Sequence, residues 1–167
     1  MIRTIRSGAG IFAVLALVPP AFAQIPAFPG AEGYGAYATG GRGGDVYIVT
    51  NLNTSGSGSF ADAIATVPAA GRTIVFAVSG HIHINKTTLA KSKVTIAGQT
   101  APGDGIGFKD GTFIISGDDI VIRHARFRYG NKEAGGDCID LSSGTINAIL
   151  DQVSIQLFAA GRGISTG

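Results

Sequence analysis

The pentapeptides Val94-Thr95-Ile96-Ala97-Gly98, Ile120-Val121-Ile122-Arg123-His124 and Ala148-Ile149-Leu150-Asp151-Gln152 decide how this chain folds. Successive copies begin 26 and 28 residues apart and align position by position. The match between the last two copies runs on, with Ala125-Arg126-Phe127 set against Val153-Ser154-Ile155. Ile120 and Ile122 alternate in one register, Ala125 and Phe127 in the other, so a straight strand would turn one pair to water. A bend at His124, and again at Gln152, turns all four apolar side chains inward. A repeat of this length, with strands broken at corners, predicts one coil of a parallel β-helix. Each coil then stacks about 4.8 Å above the last, the ordinary strand spacing. Apolar columns fill the interior, and outward side chains and corners are left free to bind. The alternative is an antiparallel sandwich or jelly roll, which also uses short strands and glycines but needs no in-register repeat.

Outward from the repeat the same grammar holds. Asp45–Val49, Thr73–Val78, His81–Ile84, Lys93–Ile96, Thr112–Ser116, Ile120–Tyr129, Cys138–Leu141 and Ala148–Ile155 read as strands punctuated by Gly and Asp. Ser59–Ala65 reads as a short helix, with Ser59 as N-cap and Asp62 completing a capping-box-like pair. Phe60, Ala63 and Ile64 share one face of it, which suits a plug over the open end of a solenoid. Twenty-six glycines, no tryptophan, 45% hydrophobic and only 14% charged residues fit strands and tight turns rather than a helical bundle. The glycine-rich stretch before the first strand reads as loop, tied down by Tyr34 and Tyr37. Its Gly33 and Gly35 are followed by Ala38 and preceded by no strand, which excludes a dinucleotide fingerprint.

The N-terminus reads as an export leader. Arg3 and Arg6 precede a short apolar run, Ile11 to Val18, and Ala21-Phe22-Ala23 has the form of a cleavage site. Residues 1–23 are therefore expected to be a signal peptide and residues 24–167 a partial β-helix, secreted to the extracellular space or periplasm. The run is short of the roughly 20 residues that span a bilayer. Loss of Arg3 and Arg6 takes the formal charge from +2 to zero, so bulk charge gives no argument for nucleic acid. Cys138 stands alone, so an exported chain has no intrachain disulfide framework, and its apolar neighbours predict a buried thiol. Asn53-Thr54-Ser55 and Asn85-Lys86-Thr87 are glycosylation sequons, which matter only in a eukaryotic secretory pathway.

Three groups could carry chemistry. Arg123, Arg126, Arg128 and Lys132 gather around one strand, and outward guanidiniums suit bidentate capture of carboxylates on an acidic sugar polymer. The same residues could equally form a solvated strand face with ion pairs. Asp137 and Asp140, with Asp110, Asp118, Asp119 and Glu133 on nearby turns, could converge on calcium through coil stacking, or could cap turns. His81 and His83 share a strand face as a zinc-binding pair would, with no third ligand evident. No Gly-x-Ser-x-Gly elbow or His-Glu-x-x-His pair occurs.

Several motifs stand in a fixed order: Phe28-Pro29-Gly30-Ala31-Glu32-Gly33-Tyr34-Gly35, Thr39-Gly40-Gly41-Arg42-Gly43-Gly44, Gly58-Ser59-Phe60-Ala61-Asp62-Ala63-Ile64, Arg72-Thr73-Ile74-Val75-Phe76, Thr95-Ile96-Ala97-Gly98-Gln99-Thr100-Ala101-Pro102-Gly103 and Ile122-Arg123-His124-Ala125-Arg126-Phe127-Arg128. From Phe28 to Ile155 the chain resembles secreted pectate lyases of the first polysaccharide lyase family. The resemblance implies a right-handed parallel β-helix that cleaves polygalacturonate by β-elimination with calcium. It implies that Asp137 is a calcium ligand, and that Asp151 is an aspartate which the family places before a histidine, here Gln152. The catalytic residues stay unassigned, because the family's later segments find no counterpart after Ile155. A truncated or frameshifted product with little lyase activity alone is therefore expected. The competing readings are a non-catalytic β-helix, either a surface adhesin or a uronate-binding module using Arg123, Arg126 and Arg128, and more distantly a polygalacturonase, which would need paired aspartates.

Overall fold

A computed structural model describes residues 24–130, 136–156 and 162–166. The expected leader, Lys132 and Glu133 lie outside them. Every described strand pairs parallel with its neighbours, and three sheets run along one axis. Sheet A holds β1 (Asp45–Val49), β2 (Arg72–Phe76), β5 (Val94–Ala97), β8 (Ile120–Arg123) and β11 (Ala148–Asp151), in that spatial order. Sheet B stacks β3 (Gly80–His83), β6 (Ile106–Lys109), β9 (Ala125–Arg128) and β12 (Ser154–Gln156). Sheet C stacks β4 (Lys86–Leu89), β7 (Thr112–Ile115), β10 (Ile139–Leu141) and β13 (Ile164–Thr166). After β1, each coil takes one strand from every sheet. This is the parallel β-helix expected from the repeat, in about four coils.

The register is the one the repeat implies. Ile74, Ile96, Ile122 and Leu150 form one column across sheet A. His124 and Gln152 sit at φ 52° and 53°, so the backbone turns left-handed at both corners. That bend reverses the inward parity: Ile120 and Ile122 before it, and Ala125 and Phe127 after it, are all buried. Sheet B carries the column Ile82, Phe108, Phe127 and Ile155. Phe60, Phe76, Phe108, Phe113 and Phe127 meet in the interior as stacked and tilted rings.

Helix α1 (Phe60–Ala65) covers the end of the barrel beside β1, as expected of a plug, with Phe60, Ala63 and Ile64 buried. Ser59 Oγ accepts from the Asp62 amide at 3.2 Å, so Ser59 is the N-cap. The Asp62 carboxylate instead receives the Tyr47 hydroxyl. Arg72 locks this end. Its Nε and Nη2 donate to the two carboxylate oxygens of Asp45 at 2.8 and 2.7 Å, and its Nη1 to the Ala63 carbonyl at 2.9 Å and Thr66 Oγ1 at 2.7 Å. A cation on the last carbonyls of a helix also opposes its dipole. Arg72→Ala removes all of these bonds from a buried side chain. Asp45 still reaches water, which keeps the loss below that of a fully buried pair. Urea unfolding is expected to show a loss of about 2 kcal/mol.

The segment before β1 lies against the outer face of sheet A. Tyr34 and Tyr37 are exposed and do not anchor it. Small residues do: Ala36 and Ala38 are buried, and Gly41 N donates to Thr95 Oγ1 at 2.9 Å. A Cβ on Gly40 would overlap Thr95 Oγ1 and press on Val121, so this segment can lie close only without side chains.

Candidate functional site

Sheet B presents a cationic outer face. Strand alternation puts Ala125 and Phe127 inside and leaves Arg126 and Arg128 outside. In-register stacking then sets His81, Gly107, Arg126 and Ser154 in one outward column. His83, Lys109, Arg128 and Gln156 form the next. Arg126 Nη2 donates to the Gly105 carbonyl at 3.2 Å, while its Nε is buried without a partner. Arg128 Nη1 donates to the Phe127 and Ser154 carbonyls, each at 3.0 Å. Among the described residues neither arginine is paired with a carboxylate. Both heads are held by backbone carbonyls, which fixes their direction without neutralising them.

Arg123 does not belong to this row. It ends β8 on sheet A, before the corner. It donates to Asp151 Oδ2 through Nε and Nη2 at 2.7 Å, and its guanidinium lies 3.9 Å from the Phe28 ring centroid. The 28-residue offset that stacks β11 on β8 also stacks Asp151 on Arg123. The sequence carried this pairing in its repeat, but grouping arginines by proximity along the chain hid it.

The acidic candidates separate. Asp118 Oδ1 accepts from the Ile146 amide at 2.8 Å, and Asp119 Oδ1 from the Thr39 amide at 3.4 Å, so each ties its turn to a segment remote in sequence. Asp110 Oδ2 lies 2.6 Å from His83 Nδ1 and 3.9 Å from Lys109 Nζ, at the edge of the cationic face. Asp137 stands just before β10. It receives Arg162 Nε at 3.2 Å, and hydrogen bonding from Ser165 together with the Arg162 charge holds its carboxyl below the usual range. Asp140 Oδ1 accepts from Ser165 Oγ at 3.3 Å, so one hydroxyl links the two aspartates. Calcium takes six to eight oxygens. Among the described residues no three His, Cys, Asp or Glu side chains converge as a metal site, so these residues do not by themselves fit the ion. His81 and His83 form no such cluster either. Cys138 is buried, and burial pushes its thiol up to about 11, which leaves it an inert core group. Among the described residues no helix is long and apolar enough to cross a membrane.

The face was legible from alternation once the bend at His124 was placed. Lys109 was not, because β6 is four residues long, contains a glycine and follows a Pro-Gly turn, so no periodicity marks it.

No family model matches the chain. Curated proteins do. The chain is 45% identical over 152 residues to the probable pectate lyase C of Aspergillus terreus, covering 90% of this chain and 35% of that protein. It is 47% identical over 146 residues to the probable pectate lyase C of Emericella nidulans, covering 85% and 34%. A protein of the same name from Aspergillus flavus is 47% identical over 131 residues, covering 77% and 30%. The chain thus spans about a third of the length of the curated relatives it matches.

Proposed function

We propose, on the premise that the chain is a homologue of pectate lyases, that it belongs to a secreted enzyme which cleaves polygalacturonate by β-elimination, and that the outer face of sheet B binds the acidic polymer. The observation that carries the binding role is the pair of unneutralised guanidiniums, Arg126 and Arg128, stacked beside Lys109. Guanidiniums grip carboxylates bidentately and stay charged at any physiological pH. A row of them set at strand spacing meets a polymer that bears repeated carboxylates. The wet, partly exposed face gives each contact a modest energy, so the grip depends on several charges acting together and weakens with salt.

Calcium is the proposed cofactor. Bound beside a uronate carboxylate, it would withdraw charge and make the adjacent C–H more acidic. Asp137, anionic and next to Asp140, is the carboxylate this chain offers toward it. Since the described residues do not complete such a site, no step is derived through the ion.

Affinity electrophoresis in gels containing polygalacturonate tests the binding. Arg126→Ala/Arg128→Ala is expected to weaken retention at least tenfold, with an unchanged circular-dichroism melt. Unchanged retention would remove sheet B as the binding face. Incubation of the purified chain with polygalacturonate and calcium, followed by ultraviolet absorbance of an unsaturated product, tests the chemistry. Calcium-dependent product supports the lyase. Retention without product selects the uronate-binding module, which the same two arginines favour.

A further inference from the structure

The cationic columns are not uniform. Gly107 interrupts the first one, and His81 fills the gap. A Cβ at Gly107 would stand 2.7 Å from His81 Cδ2 and 3.0 Å from its Nε2, so the imidazole lies over the bare glycine backbone. Arg126 follows on the far side of that notch in the same column. The imidazole is exposed on its outer side. Every charged group around it is accounted for by the register. On its own strand there is His83. On β6 there is Lys109, with Asp110 at the corner that follows, and on β9 Arg126 and Arg128. Strand β12 adds only Ser154 and Gln156. His83 Nδ1 is 2.6 Å from Asp110 Oδ2, so a charge on His83 is answered locally by that carboxylate. Among the described residues His81 makes no ion pair with a carboxylate, and Asp110 reaches it only through its charge, the smallest of the influences on it.

We propose that His81 is the proton-sensing member of this face: its protonation adds a cation to the Arg126 column and tightens the hold on a polyuronate chain. The inference rests on the reading of sheet B as the polymer-binding face and deepens it. Partial burial, and then the charges of Arg126, Lys109 and Arg128, lower the His81 pKa from its ordinary value. The side chain is therefore neutral at neutral pH, and its protonation is displaced to more acidic solution than that of an ordinary histidine. Uronate carboxylates titrate lower, near the range of an ordinary carboxyl, about 3.5. Between those two titrations the polymer is still anionic while the face has gained a charge. Binding is expected to rise from pH 7 to pH 5 and to fall below about pH 4 as the polymer loses its own charge.

Retention of the chain in polygalacturonate gels at pH 7.0, 6.0, 5.0 and 4.5 reads this directly. Wild type is expected to gain at least threefold in affinity between pH 7.0 and 5.0. His81→Gln is expected to show no gain between pH 7.0 and 5.0, whatever its affinity at pH 7.0. His81→Lys is expected to bind tightly at both. His81 is exposed, so none of these variants should alter the melt, and circular dichroism checks that. A full acid gain in His81→Gln overturns the assignment of His81, while Arg126→Ala/Arg128→Ala still reports whether sheet B binds. Wild type that is not retained at any pH overturns both.

Discussion

Phe108→Ala is expected to lower folding stability by about 3–5 kcal/mol, the range for truncating a fully buried phenylalanine. Phe108 is the hub of the aromatic interior. Its ring centroid lies 4.6 Å from Phe60, 5.1 Å from Phe127, 6.1 Å from Phe113 and 6.4 Å from Phe76. It therefore joins the capping helix to all three sheets. Its column neighbours Ile82 and Phe127 are fixed by backbone pairing to the strands on either side, so the void cannot close by sliding one strand toward another. The melting temperature should fall on the order of 10 °C. Tyr34→Ala is the control: Tyr34 is fully exposed, and the change should stay within about 0.5 kcal/mol. Equal melts for the two variants would remove the aromatic cluster as the centre of the core.

Gly111→Ala is expected to abolish cooperative folding. No left-handed backbone requires glycine here. The reason is contact between coils: a Cβ at Gly111 would overlap the carbonyl oxygens of Ile84 and Asn85 in the coil beside it. Those carbonyls cannot retreat, because Thr112 N donates to the Asn85 carbonyl at 2.9 Å and the Lys86–Thr112 register continues directly beyond. Far-ultraviolet circular dichroism and thermal melting of the purified variant check it. A soluble variant with the wild-type melt would mean that β4 and β7 do not pair in this register.

The contrast between these two positions shows what a sequence discloses. Ile96, Ile122 and Leu150 could be placed in one column because the same side-chain pattern recurs at fixed spacing. The inward turn of Phe127 followed from parity alone. The close approach at Gly111 could not be read, since a glycine selected by a neighbouring carbonyl looks like one selected by a turn. Strands β4 and β13 escaped notice because four or three residues with one inward apolar side chain leave too short a pattern. At the site, alternation turns Arg126 and Arg128 outward, whereas Arg123 stands before the corner and pairs with Asp151 one coil on, a contact that nearness along the chain does not reveal. Tyr34 and Tyr37 suggested anchors because aromatic rings bury large areas, yet the segment is held by residues small enough to let two backbones touch.

Every strand after β4 lies on one already present 19 to 28 residues earlier in the chain. The polypeptide can consequently wind up as it is synthesised, with each completed turn serving as the template for the next. At about 5–20 residues per second, a ribosome delivers one turn every few seconds, far longer than a short strand needs to settle. A substitution that stalls one turn would thus leave earlier ones wound and block all later ones, so its damage should depend on how near the start of translation it falls.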